Sequence, residues 1–240
     1  MSLMRLDKFL AEAGAGTRSE VKQLIRKKLV SVNGTICANP DEKVDPETDA
    51  IVFKGKTLSY SRFHYYMLNK PAGVVSATED PRQKTVLDLL GPEAGRNLFP
   101  VGRLDKDTEG LLLITDDGVL AHQLLSPKKH VDKTYLLTAD GTVVADDVKR
   151  LEEGVDIGDE KPTLPARAEI LESGLVSTLT LTIQEGRYHQ VKRMMEAVGK
   201  PVLSLKRLSM GSLVLDEALA PGAFRPLTPE ELKDLVDGRA

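Results

Sequence analysis

Residues 111–114, Leu-Leu-Leu-Ile, form an unbroken apolar run inside a strongly charged stretch. The run is too short for a helix, so it reads as a strand buried on both faces. It follows Gly102-Arg103-Leu104-Asp105-Lys106-Asp107-Thr108-Glu109-Gly110, a Gly-led charged turn. Asp116-Asp117-Gly118 closes it, with a Gly suited to positive φ. A charged loop fixed to a buried strand can hold a reactive carboxylate rigidly. The candidates are Asp105, Asp107 and Glu109, and the residue types alone do not choose among them.

The remaining composition narrows the field. With 240 residues, 41% apolar and 29% charged, the chain suits one large domain or a small plus a medium one. No apolar run approaches the ~20 residues of a membrane span, and no signal peptide is evident. Cys37 is the single cysteine, which excludes an internal disulfide and a cysteine-built zinc site and fits a reducing cytoplasm. The four histidines are scattered and no Gly-rich phosphate loop is present, so neither a metal nor a nucleotide cofactor is expected. The net charge is −3, yet its distribution is uneven. Met4 to Gly34 holds seven basic and three acidic residues, and Glu185 to Arg207 six and two. Two basic regions on an acidic chain suggest a face toward a polyanion.

At the N-terminus, Leu6, Phe9, Leu10 and Ala13 recur at helical spacing up to Gly14-Ala15-Gly16. Thr17 or Ser19 caps a second helix with Val21, Leu24 and Ile25 inward and Arg18, Lys22, Arg26 and Lys27 outward. Val30-Ser31-Val32 and Thr35-Ile36-Cys37 flank Asn33-Gly34, a strong hairpin signal. Ile51-Val52-Phe53 reads as a closing strand, and Thr57 to Phe63 as a linker. This helix-helix-hairpin order, with Arg5-Leu6-Asp7, Thr17-Arg18-Ser19, Ile25 and Val30 to Gly34, resembles the S4 RNA-binding fold. The resemblance implies RNA contacts from Arg5, Arg18, Ser19, Lys22, Arg26, Lys27, Lys28 and Asn33.

Further on, Tyr65 to Leu68 is a strand ending in Asn69-Lys70-Pro71-Ala72-Gly73, with Lys70 read as structural or backbone-contacting. Loop 76–84 is polar and expected exposed, and Thr85 caps a short helix over Val86 to Leu90. A helix spans Val119 to Leu125, and a strand begins at Lys133-Thr134-Tyr135. Another helix covers Asp146 to Glu153, with strands at 165–172 and 177–183. Val191, Met194, Met195 and Val198 then give a helix one apolar face, with His189, Lys192, Arg193 and Glu196 opposite. Val202 to Arg207 is a strand. Thr228-Pro229-Glu230-Glu231 opens a last helix with a capping Thr.

Several of these segments share one resemblance. Gly102-Arg103-Leu104-Asp105 with Thr108 and Gly110-Leu111-Leu112-Leu113 looks like the catalytic motif of RNA pseudouridine synthases. Lys-Pro-x-Gly at 70–73, Lys-x-Tyr at 133–135, Glu-Gly-Arg-x-His-Gln-Val-Lys-Arg-Met at 185–194 and Leu-x-Arg at 205–207 resemble further motifs of that family. With the S4-like start, the pattern is most similar to the RsuA family, which acts on ribosomal RNA. Tyr188 to Met194, taken with Asp80 to Leu87, favours its small-subunit branch.

The resemblance implies an α+β protein. Residues 1–58 would be a small S4-like domain, 59–63 a linker, and 64–240 a catalytic domain with a mixed, mostly antiparallel sheet flanked by helices. It implies isomerisation of a ribosomal RNA uridine to pseudouridine, small-subunit 16S rRNA being favoured over large-subunit rRNA. The partner would be that RNA or a partly assembled ribosomal particle, and the protein a monomer. Asp105 would be catalytic, Lys192 its cation where many members carry Arg, and Tyr135 the ring against the base. Arg103, Thr108, Arg187, His189, Gln190, Arg193 and Arg207 would contact RNA. The residues leave open whether Asp105 attacks ribose C1′, attacks ring C6 or removes a ribose proton. Two rivals stand beside this reading: a non-catalytic S4-type RNA-binding protein, and a glycoside-type hydrolase pairing Asp105 with Asp107 or Glu109. The synthase reading requires Lys192 close to Asp105 and a cleft between Asp105 and Tyr135.

Overall fold

The computed structural model describes residues 3–46, 48–58, 63–91, 94–95 and 97–238. The chain divides into two compact units, residues 1–63 and 64–240. Of the expected linker, residues 59–62 lie outside the described ones.

The first unit runs β1 (Met4–Arg5), α1 (Leu6–Glu12), α2 (Arg18–Arg26), β2 (Val30–Val32), β3 (Thr35–Cys37), β4 (Lys43–Val44), β5 (Ile51–Phe53) and β6 (Lys56–Leu58). Thr17 is the cap of α2. Its hydroxyl accepts from the Glu20 amide and the Glu20 carboxylate accepts from the Thr17 amide, so two helix-end donors are satisfied reciprocally. Asn33 and Gly34 both hold positive φ, 51° and 81°, as a two-residue hairpin turn requires. β2 lies between β3 and β5, and β6 adds to β5. Two- and three-residue strands such as β4 and β6 are too short to show a period, which is why 38–50 and 57 onward read only as loop. Leu6, Phe9, Leu10, Val21, Ile25, Val30 and Ile51 form the core.

The second unit carries β7 (Tyr65–Lys70), β8 (Phe99–Pro100), β9 (Glu109–Thr115), α3 (Gly118–Leu125), β10 (Lys133–Asp140), α4 (Ala145–Glu153), β11 (Arg167–Glu172), β12 (Val176–Ile183), α5 (Gln190–Ala197), β13 (Val202–Met210), β14 (Leu213–Val214), β15 (Phe224–Pro226) and α6 (Pro229–Asp237). Its sheet runs β11-β12-β10-β13-β9-β7-β15, with β8 on β9 and β14 on β13. Every pairing is antiparallel except β13 with β9. The expected α+β architecture, mixed and mostly antiparallel, is therefore present.

The apolar run of β9 divides between two cores. Leu112 and Ile114 face one side with Tyr135, Leu137 and the α5 residues Val191, Met194 and Met195. Leu111 and Leu113 face the other with Leu120 and Leu124 of α3 and Leu235 of α6. Two details differ from the sequence expectation. Gly118 does not take positive φ; it is the first residue of α3, and Asp117 caps that helix by accepting from the Val119 and Leu120 amides. Val86 to Leu90 narrows to a single 3-10 turn, Leu87–Leu89.

The parallel contact explains Gly110. It holds φ 98°, and a Cβ there would lie 2.3 Å from the Arg207 carbonyl oxygen of the adjacent strand. Neither the left-handed backbone nor the contact tolerates a side chain. Gly110→Ala should cost about 3 kcal/mol from overpacking and backbone strain together. For a chain of this size that lowers Tm by roughly 6–12 °C in calorimetry.

Candidate active site

The charged loop between β8 and β9 is clamped on both sides of Asp105. The Leu104 amide donates to the Ser76 hydroxyl at 3.0 Å, and that oxygen lies 2.8 Å from the Leu104 carbonyl. The Gly73 amide donates to the Lys106 carbonyl at 2.7 Å. Beneath, the Lys70 ammonium donates to the carbonyls of Thr108 at 2.8 Å, Pro71 at 3.0 Å and Lys106 at 3.3 Å. Lys70 is fully buried, and its partners are backbone oxygens. Burial depresses it to about 8, while Asp107, Glu109 and Asp105 pull the other way. Ser76 belongs to a loop expected to be exposed, yet it is buried. Nothing in the sequence marks it, because its partner lies 28 positions away.

The clamped loop presents Asp105, about a quarter exposed, to a cleft. Tyr135, Thr108, Arg103, Arg187, His189, Gln190 and Lys192 line that cleft with it. Helix α5 brings Lys192 Nζ to 3.4 Å from Asp105 Oδ2, and His189 Nε2 to 3.5 Å from Asp105 Oδ1. Both conditions set by the sequence are thus met.

The lysine is shared. Its closer contacts are to both carboxylate oxygens of Asp107, at 2.7 and 2.8 Å. The hydrogen bond from Lys192 holds Asp107 below its usual range against the effect of burial. Burial would lower Lys192, but the bond to Asp107 and the field of Asp105 outweigh it, and Lys192 sits above its usual value. In the sequence Asp107 is one of three candidate carboxylates and a possible hydrolase partner of Asp105, not a partner of Lys192. In the structure it lies before β9, where strand alternation does not apply.

Other expected RNA contacts are occupied internally. Arg187 bonds Glu185 and the Lys161 and Pro162 carbonyls. Arg193 bonds Asp159 and the Ile157 and Tyr188 carbonyls. Gln190 is buried, joined to Glu185 and the Arg187 amide. Arg207 is buried too, donating from Nε to the Leu111 carbonyl, so it braces β9 and is not presented to a ligand. The Thr108 hydroxyl is buried with no partner among the described residues. Arg103 remains exposed, with no acidic partner among them.

In the first unit, Asp7 is buried and gathers three cations. Arg5 donates to it from two nitrogens, with Arg18 at 3.5 Å and Lys22 at 3.6 Å. Burial would raise Asp7, but these cations outweigh it and hold it below its usual range. Arg5 also pairs with Asp41. Asn33 is spent on its own turn, donating to Asp49 and accepting from the Ala50 amide. Ser19, Arg26, Lys27 and Lys28 are exposed.

Among the described residues, no helix is long and apolar enough to cross a membrane. None of their His, Cys, Asp and Glu side chains cluster in threes or more to hold a metal ion.

Residues 64–197 match the RNA pseudouridylate synthase family, and residues 4–50 match the S4 domain. The chain belongs to the RNA pseudouridine synthase family and is an S4-bearing isomerase acting on RNA. It is 52% identical to the RNA pseudouridine synthase YtzG of Bacillus subtilis, over 99% of this chain and 100% of that one. It is 43% identical to ribosomal small subunit pseudouridine synthase A of Escherichia coli, over 97% and 100%. A crystal structure of a pseudouridylate synthase aligns with a TM-score of 0.68 at 42% identity, covering 97% of this chain and 99% of that one.

Two expectations follow from the loop. Lys70→Met removes one bond from each of three carbonyls and should let Asp105 drift, lowering single-turnover rates by about 10- to 100-fold with RNA binding kept. Because burial lowers Lys70 to about 8, the unfolded chain binds more protons than the folded one from there to the unfolded value near 10.5. Stability of the parent relative to Lys70→Met should therefore rise with pH across that window in denaturant titrations. Separately, Asp107→Asn removes one of the two anions that raise Lys192. The alkaline limb of turnover should move to lower pH, read from a pH-rate profile.

Proposed function

We propose that this protein isomerises a uridine of small-subunit 16S ribosomal RNA, with Asp105 as the catalytic carboxylate. The observation carrying this reading is Asp105 on a clamped loop, 3.4 Å from the Lys192 ammonium, in a cleft shared with Tyr135. The small subunit is favoured by the name and full-length similarity of the Escherichia coli relative. The S4 unit would hold the RNA through the exposed basic face of α2. The substrate would be naked RNA or an assembling particle, the protein a cytoplasmic monomer, and the domains 1–58 and 64–240.

The reaction breaks the N1–C1′ glycosidic bond, turns the uracil, and joins C5 to the same C1′, so the C5 hydrogen must leave. N1 takes up a proton in place of the one lost from C5, so the change is an isomerisation with no redox step. The base must first leave any stack, which favours loops and disrupted stems. Lys192 sets a positive charge 3.4 Å from the Asp105 carboxylate beside the ring. Tyr135 offers its ring to the extruded base, an interaction of about 1–3 kcal/mol.

Tritium release from small-subunit ribosomal RNA labelled at uridine C5 tests this. The parent should release tritium, and Asp105→Asn should release it at least about a thousandfold more slowly while still binding RNA. Equal release by both would mean that another carboxylate acts. Release from large-subunit but not small-subunit RNA would reassign the substrate.

A further inference from the structure

Segment 185–193 is tied down at nearly every polar side chain, yet it presents one large ring to solvent. Tyr188 is 76% exposed. Its ring lies on the His189 imidazole, with centroids 3.8 Å apart and planes 20° from parallel. His189 holds a left-handed backbone, φ 49° and ψ 33°. For a residue other than glycine this is an uncommon conformation, of the kind that gathers at functional sites. The conformation sets the imidazole against the cleft, with Nε2 3.5 Å from Asp105 Oδ1. The support is rigid: Arg193 holds the Tyr188 carbonyl, and Gln190 and Arg187 both hold Glu185. The two rings therefore form a stack that begins beside the carboxylate and has the exposed Tyr188 ring as its other member.

A single exposed aromatic is ordinary on a protein surface. What distinguishes this one is its stack on a cleft-lining residue and the backbone geometry that keeps it there. Its surroundings also select the occupant. The neighbours Arg187, His189, Gln190, Lys192 and Arg193 are polar or cationic, so no contiguous apolar patch exists for a protein partner. Arg103, on the same cleft, has no acidic partner among the described residues. An aromatic face stacked on a residue of the cleft that also holds this cation suits a π-faced group on an anionic backbone.

We propose that Tyr188, braced by His189, is a stacking platform for an unpaired nucleobase next to the uridine in the cleft. This rests on reading the cleft as the uridine site. The platform is sequence-tolerant by nature, because every base has a π face. It would hold the flanking nucleotide splayed while its neighbour enters the cleft.

The test uses the full chain, a single-stranded uridine oligonucleotide, and a ribose-phosphate chain of equal length without bases. Tyr188→Ala should weaken binding of the oligonucleotide by about 5- to 150-fold, the range for loss of one stacked base. Tyr188→Phe and Tyr188→Trp should stay close to the parent. The baseless chain should bind parent and Tyr188→Ala alike. Three results would each overturn the platform: unchanged oligonucleotide binding by Tyr188→Ala, an equal loss on both chains, or a loss in Tyr188→Phe as large as in Tyr188→Ala. Tritium release by the parent is scored separately. Tyr188-dependent binding without release would sink the synthase reading and leave the platform. Release with Tyr188-independent binding would sink the platform alone.

Discussion

A buried ammonium beneath a surface loop is the interaction on which the site depends. Lys70 closes β7, an interior strand of the sheet, and its three bonds reach the Pro71 carbonyl and the Lys106 and Thr108 carbonyls just after Asp105. Burying that charge opposes folding, as its depression to about 8 shows. A methionine of similar length would fill the space without that penalty. It would also remove one hydrogen bond from each of three carbonyls, of which that of Lys106 keeps the Gly73 amide. The lysine therefore converts a strand end into a fixed floor for the loop. Ser76 and the Gly73 amide supply the walls.

On that floor, the lysine of α5 meets two carboxylates. One cation between two anions leaves the triad with net negative charge, and Asp107, largely exposed, holds the shorter contacts. Water screens the exposed partner more than the recessed one, so the geometric order of the contacts is not their energetic order. A base and ribose covering the cleft, as proposed above, would lower the local dielectric and strengthen the Asp105–Lys192 attraction. The carboxylate pair of a glycosidase needs one protonated member. The Lys192 ammonium holds Asp107 below its usual range, which argues against Asp107 as that protonated member.

Much of this was legible in the sequence, for physical reasons that differ by element. The β9 run announced itself because a strand buried on two faces shows no alternation, and Asn33-Gly34 because few residues accept two successive left-handed positions. The α5 face was visible as spacing, and Asp105, Lys192 and Tyr135 through ordered motifs. What stayed hidden were partners distant in sequence. Ser76 lies 28 positions from Leu104, Asp159 34 from Arg193, and Lys192 85 from Asp107. Side-chain direction was also invisible. Arg207 sits in a motif that resembles a binding element, yet it turns inward to a strand carbonyl.

That hidden pairing changes the electrostatic reading of the second unit. The basic excess of residues 185–207 suggests a cationic patch when counted along the chain. In space, Arg187 and Arg193 are met by Asp159, Lys192 by Asp105 and Asp107, and Arg207 is sealed in the sheet. Charge neutralised inside the fold releases no counterions from a polyanion, so it contributes little to salt-dependent affinity. Among the described residues, the cations without an acidic partner include Arg103 at the cleft, Lys200 and Lys206 in this stretch, and Arg26, Lys27 and Lys28 at the end of α2. Cations able to meet an RNA backbone therefore remain on both units, and in the second unit they are not Arg187, Arg193 or Arg207, the arginines that the motif spacing of residues 185–207 singles out.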